Sequence, residues 1–194
     1  MSDDTPTVQL SGQRLKAIAH PLRMRMLSLL REEGPSTASR LAERIGQSSG
    51  VTSYHLRQLA EHGFVAEDET LGTGRDRWWK AAVYQMSLGS PDARESAETT
   101  EAYLRAVAIQ DTGRIDRFLN EVSMLPEEWD DGVDLSSYIL RLTAAEARGL
   151  VARLRAIMPD MRADQPGVDA PDGAEQVVLQ VQVMPMIRRT EDAS

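Results

Sequence analysis

The sequence of 194 residues has no cysteine, few aromatic residues (5%) and no long apolar run. The absence of cysteine excludes disulfides, cysteine-based zinc sites and thiol catalysis. No apolar run approaches the roughly 20 residues that a membrane-spanning helix needs. The polar, acidic start MSDDTPT lacks the features of a secretory signal. We therefore expect a cytoplasmic protein with no membrane segment.

Motifs for catalysis and for metal or cofactor binding are also missing. The sequence has no glycine-rich phosphate loop and no paired metal-ligand motif, and no histidine occurs after His62. The acids between Glu127 and Asp134 match no spacing of a known ligand set. We therefore expect no enzyme activity, no catalytic residue, no cofactor and no metal site.

Positive charge is scarce and unevenly distributed along the chain. The net charge is −8, with 22 Lys and Arg against 30 Asp and Glu. Residues 1–85 carry 11 basic and 10 acidic side chains, whereas residues 86–194 carry 11 and 20. Because a polyanion repels net negative charge, only the N-terminal half is expected to approach a nucleic acid.

The most informative segment is SSGVTSYHLRQLAEHG, from Ser48 to Gly63, where the residue pattern predicts an amphipathic helix. One face is suited to a protein core and carries Thr52, His55, Leu56 and Leu59. The opposite face has no acid and carries Ser49, Gly50, Ser53, Tyr54 and Arg57. Such a face can lie close to DNA and donate hydrogen bonds to it, so we interpret the segment as a recognition helix.

Helical spacing and turn residues predict three further helices before this segment. A first helix covers residues 10–19, and a second starts at Pro21 with His20 as its N-cap. A third, short helix is capped by Ser36 or Thr37 and ends at Gly46. Two short helices joined by a tight glycine turn are typical of a helix-turn-helix.

A β-hairpin, or wing, is predicted after the recognition helix. Gly72 and Gly74 bracket a turn between two strand-like runs, and Arg75 and Arg77 lie at or just past its tip. One tryptophan of the pair 78–79 is expected to anchor the hairpin to the helices. The predicted organisation is a disordered tail, 1–7, followed by a winged helix-turn-helix domain, 8–88.

The predicted DNA contacts use hydroxyl, amide and guanidinium groups. Arg57 suits guanine or a phosphate, and Gln58 suits adenine. Serines at the start of the helix would present backbone donors to a phosphate. The complete predicted set is Ser48, Ser49, Ser53, Tyr54, Arg57, Gln58, Arg75 and Arg77.

The runs LKAIAHPLRMRMLSLL, STASRLAERIG, SSGVTSYHLRQLAEHGFV and GRDRWWKA resemble the ArsR-type winged-helix transcription regulators over about residues 10–85. The resemblance implies a homodimeric DNA-binding protein that represses, or sometimes activates, transcription in response to a metal or small ligand. Metal-sensing members carry cysteines before the recognition helix or Asp/His sets on a C-terminal helix. This sequence has neither, so it resembles a member that does not sense metals and has a C-terminal extension.

The C-terminal half is predicted to add a long helix and a small mixed unit. Apolar residues at three- and four-residue steps predict a helix over 92–125, which serves either as a dimerisation helix, which we favour, or as packing for its own domain. Residues 126–194 are predicted to form a strand–helix–strand unit, with strands at 135–142 and 177–184 and a mobile loop at 159–174. The predicted fold class is therefore α+β and mainly helical.

The sequence thus predicts a sequence-specific regulator of transcription that binds a double-stranded DNA operator as a homodimer, and a repressor is expected. The alternative is a protein-interaction module built on the same scaffold. Four residues either line a site for a small organic effector or form dimer core: Tyr103, Phe118, Met124 and Trp129.

Overall fold

The computed structural model describes residues 8–71, 76–84, 86–87, 96–161, 164 and 169–186. The chain divides into two compact units, the first comprising Met1–Leu125 with Ala163–Gly167 and the second Pro126–Arg162 with Val168–Ser194. Within the described ranges, no helix combines the length and the apolar character needed to cross a membrane.

The first unit contains five helices and five short strands among its described residues. The helices are α1 (Gly12–Ile18), α2 (Pro21–Glu32), α3 (Ala38–Ile45), α4 (Ser49–Glu61) and α5 (Ala97–Glu121). The strands are β1 (Val8–Gln9), β2 (Ser36–Thr37), β3 (Val65–Glu67), β4 (Trp78–Ala81) and β5 (Met86–Ser87). This is the predicted winged helix-turn-helix, mainly helical with a small sheet.

Side-chain caps fix where the helices begin. His20 Nδ1 accepts the Leu22 N–H at 3.2 Å, which confirms the predicted N-cap of α2. Thr37 caps α3, and Ser48 caps α4. Gly46 ends α3 with φ 65°, a left-handed conformation that glycine adopts at least cost. The tight turn between α3 and α4 is therefore set by local sequence.

The sheet of the wing has the order β2-β4-β3 and is antiparallel. Val65 pairs with Ala81, and Glu67 pairs with Trp79. Strand β2 was not predicted, because two residues are too few to show a strand pattern. The same is true of the parallel pair β1–β5, in which Val8 pairs with Met86.

The core of the first unit is aliphatic, with Phe64 as its largest fully buried side chain. Trp79 is 4% exposed and packs in this core, so it is the tryptophan that anchors the wing. Tyr103 and Ala106 of α5 belong to the same core, which joins α5 to the winged helix.

Helix α5 is shorter than the predicted helix of 92–125. It begins at Ala97 after the N-cap Ser96, continues through Gly113, and is followed by a 3₁₀ turn at Val122–Met124. Residues 92–95 lie outside the described residues, as do the tail predicted at 1–7 and part of the loop predicted at 159–174.

The second unit contains α6 (Ala144–Ala156) with the predicted capping box. Thr143 Oγ1 accepts the Glu146 N–H at 3.2 Å, and a Glu146 carboxylate oxygen accepts the Thr143 N–H at 2.7 Å. The strands predicted at 135–142 and 177–184 are not formed, which corrects the predicted strand–helix–strand unit. An isolated pair of strands is marginal without a packed layer, and no described side chain of this unit is buried.

Candidate nucleic-acid interface

Helix α4 has the two faces that the sequence predicts. Its inward face is buried and consists of Thr52, His55, Leu56 and Leu59. The Thr52 hydroxyl donates to the Ser48 carbonyl at 2.8 Å, so this buried polar group is satisfied within the helix. The inward face therefore fixes the rotation of α4, and with it the direction of the outward residues.

The outward face of α4 is polar and accessible. Ser48, Ser49, Tyr54 and Arg57 are exposed, with Tyr54 at 54%, and Ser53 is half-buried. Arg57 Nε donates to the Ser53 carbonyl at 3.3 Å. No carboxylate of the described residues forms an ion pair with Arg57. The Arg57 guanidinium is thus available to an anion without first losing an acidic partner.

Gln58 is less available than the sequence suggests. It is half-buried, and its Nε2 donates to a Glu61 carboxylate oxygen at 3.1 Å. A contact from Gln58 to adenine requires this donor to be released first.

A cleft of about 350 Å³ joins α3, α4 and the wing. Its lining is mostly hydroxyls and cations, with one acid: Thr37, Ala38, Ser39, Ser49, Ser53, Arg57, Asp76, Arg77 and Trp79. The cleft brings Arg57 of the recognition helix and Arg77 of the wing to one concave surface. The negative charge of Asp76 in this cleft would repel an anion.

The described cations of the wing are held in ion pairs. Arg77 Nη1 lies 3.2 Å from a Glu67 carboxylate oxygen, and Lys80 Nζ lies 3.5 Å from Asp68. The hydroxyl of Thr70, which donates to Asp68, lowers the pKa of that carboxyl, and the charge of Lys80 adds to the effect. The Arg77–Glu67 pair is exposed, and such pairs contribute little and exchange readily, whereas Asp68 is buried. Arg75, Gly72 and Gly74 lie outside the described residues.

Arg40 and Ser39 of α3 are functional candidates that the sequence interpretation missed. The Arg40 guanidinium carbon lies 4.8 Å from the Trp78 ring centroid, and Arg40 is exposed. The buried residues of α3 are Leu41 and Ala42, so its helical period could have placed both candidates outward. Because the first helix of a helix-turn-helix crosses the DNA backbone, Arg40 is placed to meet a phosphate.

Two histidines are in contact where the start of α2 packs against α4. The rings of His20 and His55 lie 4.7 Å apart between centroids, and the Tyr54 ring lies edge-on to His55 at 5.3 Å. Burial lowers the pKa of both histidines, and the charge of Arg23 lowers it further. Neutral imidazoles suit this site, since His20 Nδ1 must accept the hydrogen bond that caps α2.

Of the four residues named for an organic effector, Tyr103 and Phe118 lie far apart on α5. Tyr103 is buried in the core of the first unit, and Phe118 lies 15 residues further along α5, which is about 22 Å at the rise of a helix. Met124 is exposed after α5, and Trp129 belongs to the second unit. Within the described residues, no group of three or more His, Cys, Asp or Glu side chains could hold a metal ion.

Residues 18–68 match a family model described as a helix-turn-helix domain. No relative was found among curated proteins. Among solved structures, the chain is similar to reduced HlyU from Vibrio cholerae N16961, at 18% identity over 52% of this chain and 84% of that chain, with a TM-score of 0.34. It is also similar to a possible transcriptional regulator for arsenical resistance, at 26% identity over 60% and 98%, with a TM-score of 0.32.

A third similar structure is the YusO protein from Bacillus subtilis, at 16% identity over 74% of this chain and 79% of that chain, with a TM-score of 0.33. The matched segment runs from the end of α1 through β3 and contains the α3–turn–α4 arrangement. Residues 18–68 are therefore a helix-turn-helix domain set in a winged helix, the kind of domain that DNA-binding transcription regulators carry.

Proposed function

We propose that this chain is a sequence-specific regulator of transcription that binds a double-stranded DNA operator as a homodimer. The observation that carries the proposal is the outward face of α4. From Ser48 to Gln58 this face has hydroxyls and Arg57 but no acid, and it opens on the cleft shared with the wing. A helix with this face is suited to the major groove.

The contacts divide by chemistry into those that read bases and those that position the protein. Arg57 has the fork geometry to donate twice to guanine, and it is the base-reading residue we propose. Ser49 and Ser53 suit phosphates, as do the free N–H groups at the start of α4. Arg40 and Arg77 would neutralise phosphates on either side of the groove.

The homodimer is supported by geometry and by exposed apolar surface. One winged helix reads one half-site, and two copies are needed to read an operator with two-fold symmetry. Helix α5 leaves Leu104, Ile109 and Leu119 exposed on the first unit. An apolar row of this kind on a long helix is suited to pairing with a second copy.

Repression follows in the simplest case, where the bound dimer covers promoter DNA. Modulation by an organic effector stays a prediction.

A protein-interaction module is the second candidate, and the wing is the observation that favours it. Arg77 and Lys80 are both paired with acids, which reduces the positive charge that the wing offers to DNA. The salt dependence of binding separates the two candidates, because the release of counterions from DNA makes its binding far more sensitive to salt.

The test is selection of genomic fragments by the purified full chain, followed by measurement of the best fragment's affinity at 50 and 200 mM salt. We expect an enriched motif with two-fold symmetry and, for about 6–10 phosphate contacts, an affinity loss on the order of 10³–10⁵ between the two salt concentrations. A flat salt dependence without enrichment would contradict the proposal and favour a protein partner.

Point variants locate the interface. Arg57→Ala should weaken operator binding by roughly 5- to 150-fold, the range for losing one good base contact. Asp76→Asn should strengthen it, because it removes a negative charge from the cleft. Arg148→Ala is the matched control: it removes the same charge from an exposed position on α6 that belongs to neither the proposed DNA surface nor the proposed dimer surface, and it should leave affinity within about twofold. An unchanged affinity in Arg57→Ala would remove α4 as the recognition helix.

A further inference from the structure

The second unit has large apolar side chains that are exposed. No side chain is buried among residues 126–161 and 169–186. Ile139 is 87% exposed, Leu179 is 63% exposed and Met184 is 72% exposed. Exposed apolar surface of this extent marks a contact with another molecule, and a unit this small cannot hold a core alone.

The pattern of residues 178–184 is symmetric about Val181. Moving outward from it, Gln180 mirrors Gln182, Leu179 mirrors Val183, and Val178 mirrors Met184. When two identical strands pair antiparallel across a two-fold axis at Val181, each residue lies opposite its mirror residue in the other copy. Aliphatic side chains then face aliphatic side chains, and amides face amides, which is the favourable arrangement of cross-strand pairs.

Charge also favours self-pairing of this segment. From Gln176 to Met186 there is no charged residue, although 27% of the whole chain is charged. Two copies can therefore approach here without like-charge repulsion. Pro185 cannot donate to a ladder, so it ends the pairing just beyond Met184.

We propose that residues 178–184 of two copies of this chain form an antiparallel two-stranded ribbon centred on Val181. This inference rests on the proposed homodimer and names a surface that the second copy covers. The other apolar segment, 135–142, places Ser136, Ser137 and Arg141 among its apolar residues and has no such symmetry. It is suited instead to cover the ribbon, because an isolated two-stranded ribbon is only marginally stable.

The symmetry makes a charge test possible in the full chain. In the proposed register, position 180 of one copy faces position 182 of the other. The double variant Gln180→Lys with Gln182→Lys places two like-charge pairs across the axis, and so does Gln180→Glu with Gln182→Glu. Each alone should raise the dimer dissociation constant roughly tenfold at low salt. An equimolar mixture of the two should restore association, as a mixed dimer. Sedimentation equilibrium measures each constant, and circular dichroism checks that helix content is unchanged.

Two further variants complete the test. Gln180→Glu with Gln182→Lys should dimerise like the parent chain, because opposite charges then face each other twice. Ala170→Lys with Ala174→Lys adds the same charge at exposed positions outside the segment, and it should not weaken the dimer tenfold.

The outcomes separate this inference from the proposed function. If both like-charge variants dimerise as well as the parent chain, ribbon pairing is overturned while the homodimer stands. If Gln180→Glu with Gln182→Lys is weakened as strongly as the like-charge variants, the strands do not pair about Val181. If the parent chain is a monomer at all accessible concentrations, the inference and the homodimer both fail, and operator selection still tests DNA binding separately.

Discussion

At the scale of single residues, the histidine pair links α2 to the recognition helix. His20 caps α2 and lies against His55 of α4, and no acid contributes to the pKa of either ring. Since burial and Arg23 lower both pKa values below the ordinary value of about 6.5, the unfolded chain binds more protons than the folded chain just below that pH. The contribution of the two neutral histidines to the free energy of unfolding is therefore fully present above about pH 6.5. It decreases as the pH falls towards the folded-state pKa values.

We expect His20→Asn to flatten this pH dependence. Asparagine is a good N-cap that does not titrate, so the cap is kept while the charge between α2 and α4 is avoided. The measurement is urea unfolding at pH 7.5 and 5.5, with His62→Gln, which removes the third histidine, as the control. An equal loss of stability on acidification in the parent chain and in His20→Asn would show that the pair does not titrate with folding.

Residue identities predicted which face of α4 points outward, but not which side chains are already engaged. The outward position of Arg57 follows from the helical period alone. The pairing of Arg77 with Glu67 depends on the register between β3 and β4. The Gln58 amide can donate either to solvent or to Glu61, and the sequence does not show which. Such choices depend on side-chain geometry that a linear pattern does not contain.

At the scale of elements, a cluster of charges attaches α5 to α2. The Arg114 Nε donates to a Glu32 carboxylate oxygen at 2.8 Å, and Arg117 lies 3.1 Å from the other oxygen. Arg31 of α2 is close by: burial lowers its pKa to about 10, with a contribution from the charge of Arg114, and its Nε donates to the Val83 carbonyl at 2.6 Å. Glu32, together with Asp111 at 3.5 Å from Arg114, thus offsets the charge of a site where three guanidinium groups converge.

Removing Glu32 should destabilise the first unit far more than removing its neighbour. Glu32→Ala leaves the half-buried Arg114 with the longer, 3.5 Å pair to Asp111, at a cost of about 2 kcal/mol, between the values for exposed and buried pairs. Glu33→Ala breaks only the surface pair with Arg44 and should cost about 0–1 kcal/mol. Urea unfolding of the two variants gives the comparison, and equal losses would contradict a special role for Glu32.

The helices could be predicted because each has both a repeating apolar pattern and a cap, as at Ser48 and Thr143. The short strands could not, since Ser36–Thr37 and Val8–Gln9 are strands only through their partners. The two strands predicted in the second unit are not formed, for a related reason. An alternating pattern of apolar and polar residues forms a strand only where another strand is present to pair with it.

At the scale of the whole molecule, the two units differ in charge and in burial. The first unit has an aliphatic core and contains the near-neutral half of the sequence, whereas the described part of the second unit has no buried side chain. If a second copy covers residues 178–184, their backbone amides should exchange rapidly in dilute solution and slowly in concentrated solution. Amides in α2 and β4 should be protected at both concentrations. Hydrogen exchange followed by mass spectrometry tests this, and rapid exchange of 178–184 at every concentration would contradict ribbon pairing.

The short parallel pair β1–β5 has a consequence for how this domain can be moved between proteins. Val8 pairs with Met86 and Gln9 with Ser87, so the polypeptide enters and leaves the winged helix at the same point. A domain whose two ends meet can be joined to a different C-terminal extension, or inserted into a loop of another protein, without straining its interior. Because Tyr103 and Ala106 of α5 belong to the same core, a fusion of this domain to a chosen sensor keeps the core intact only if it also retains α5.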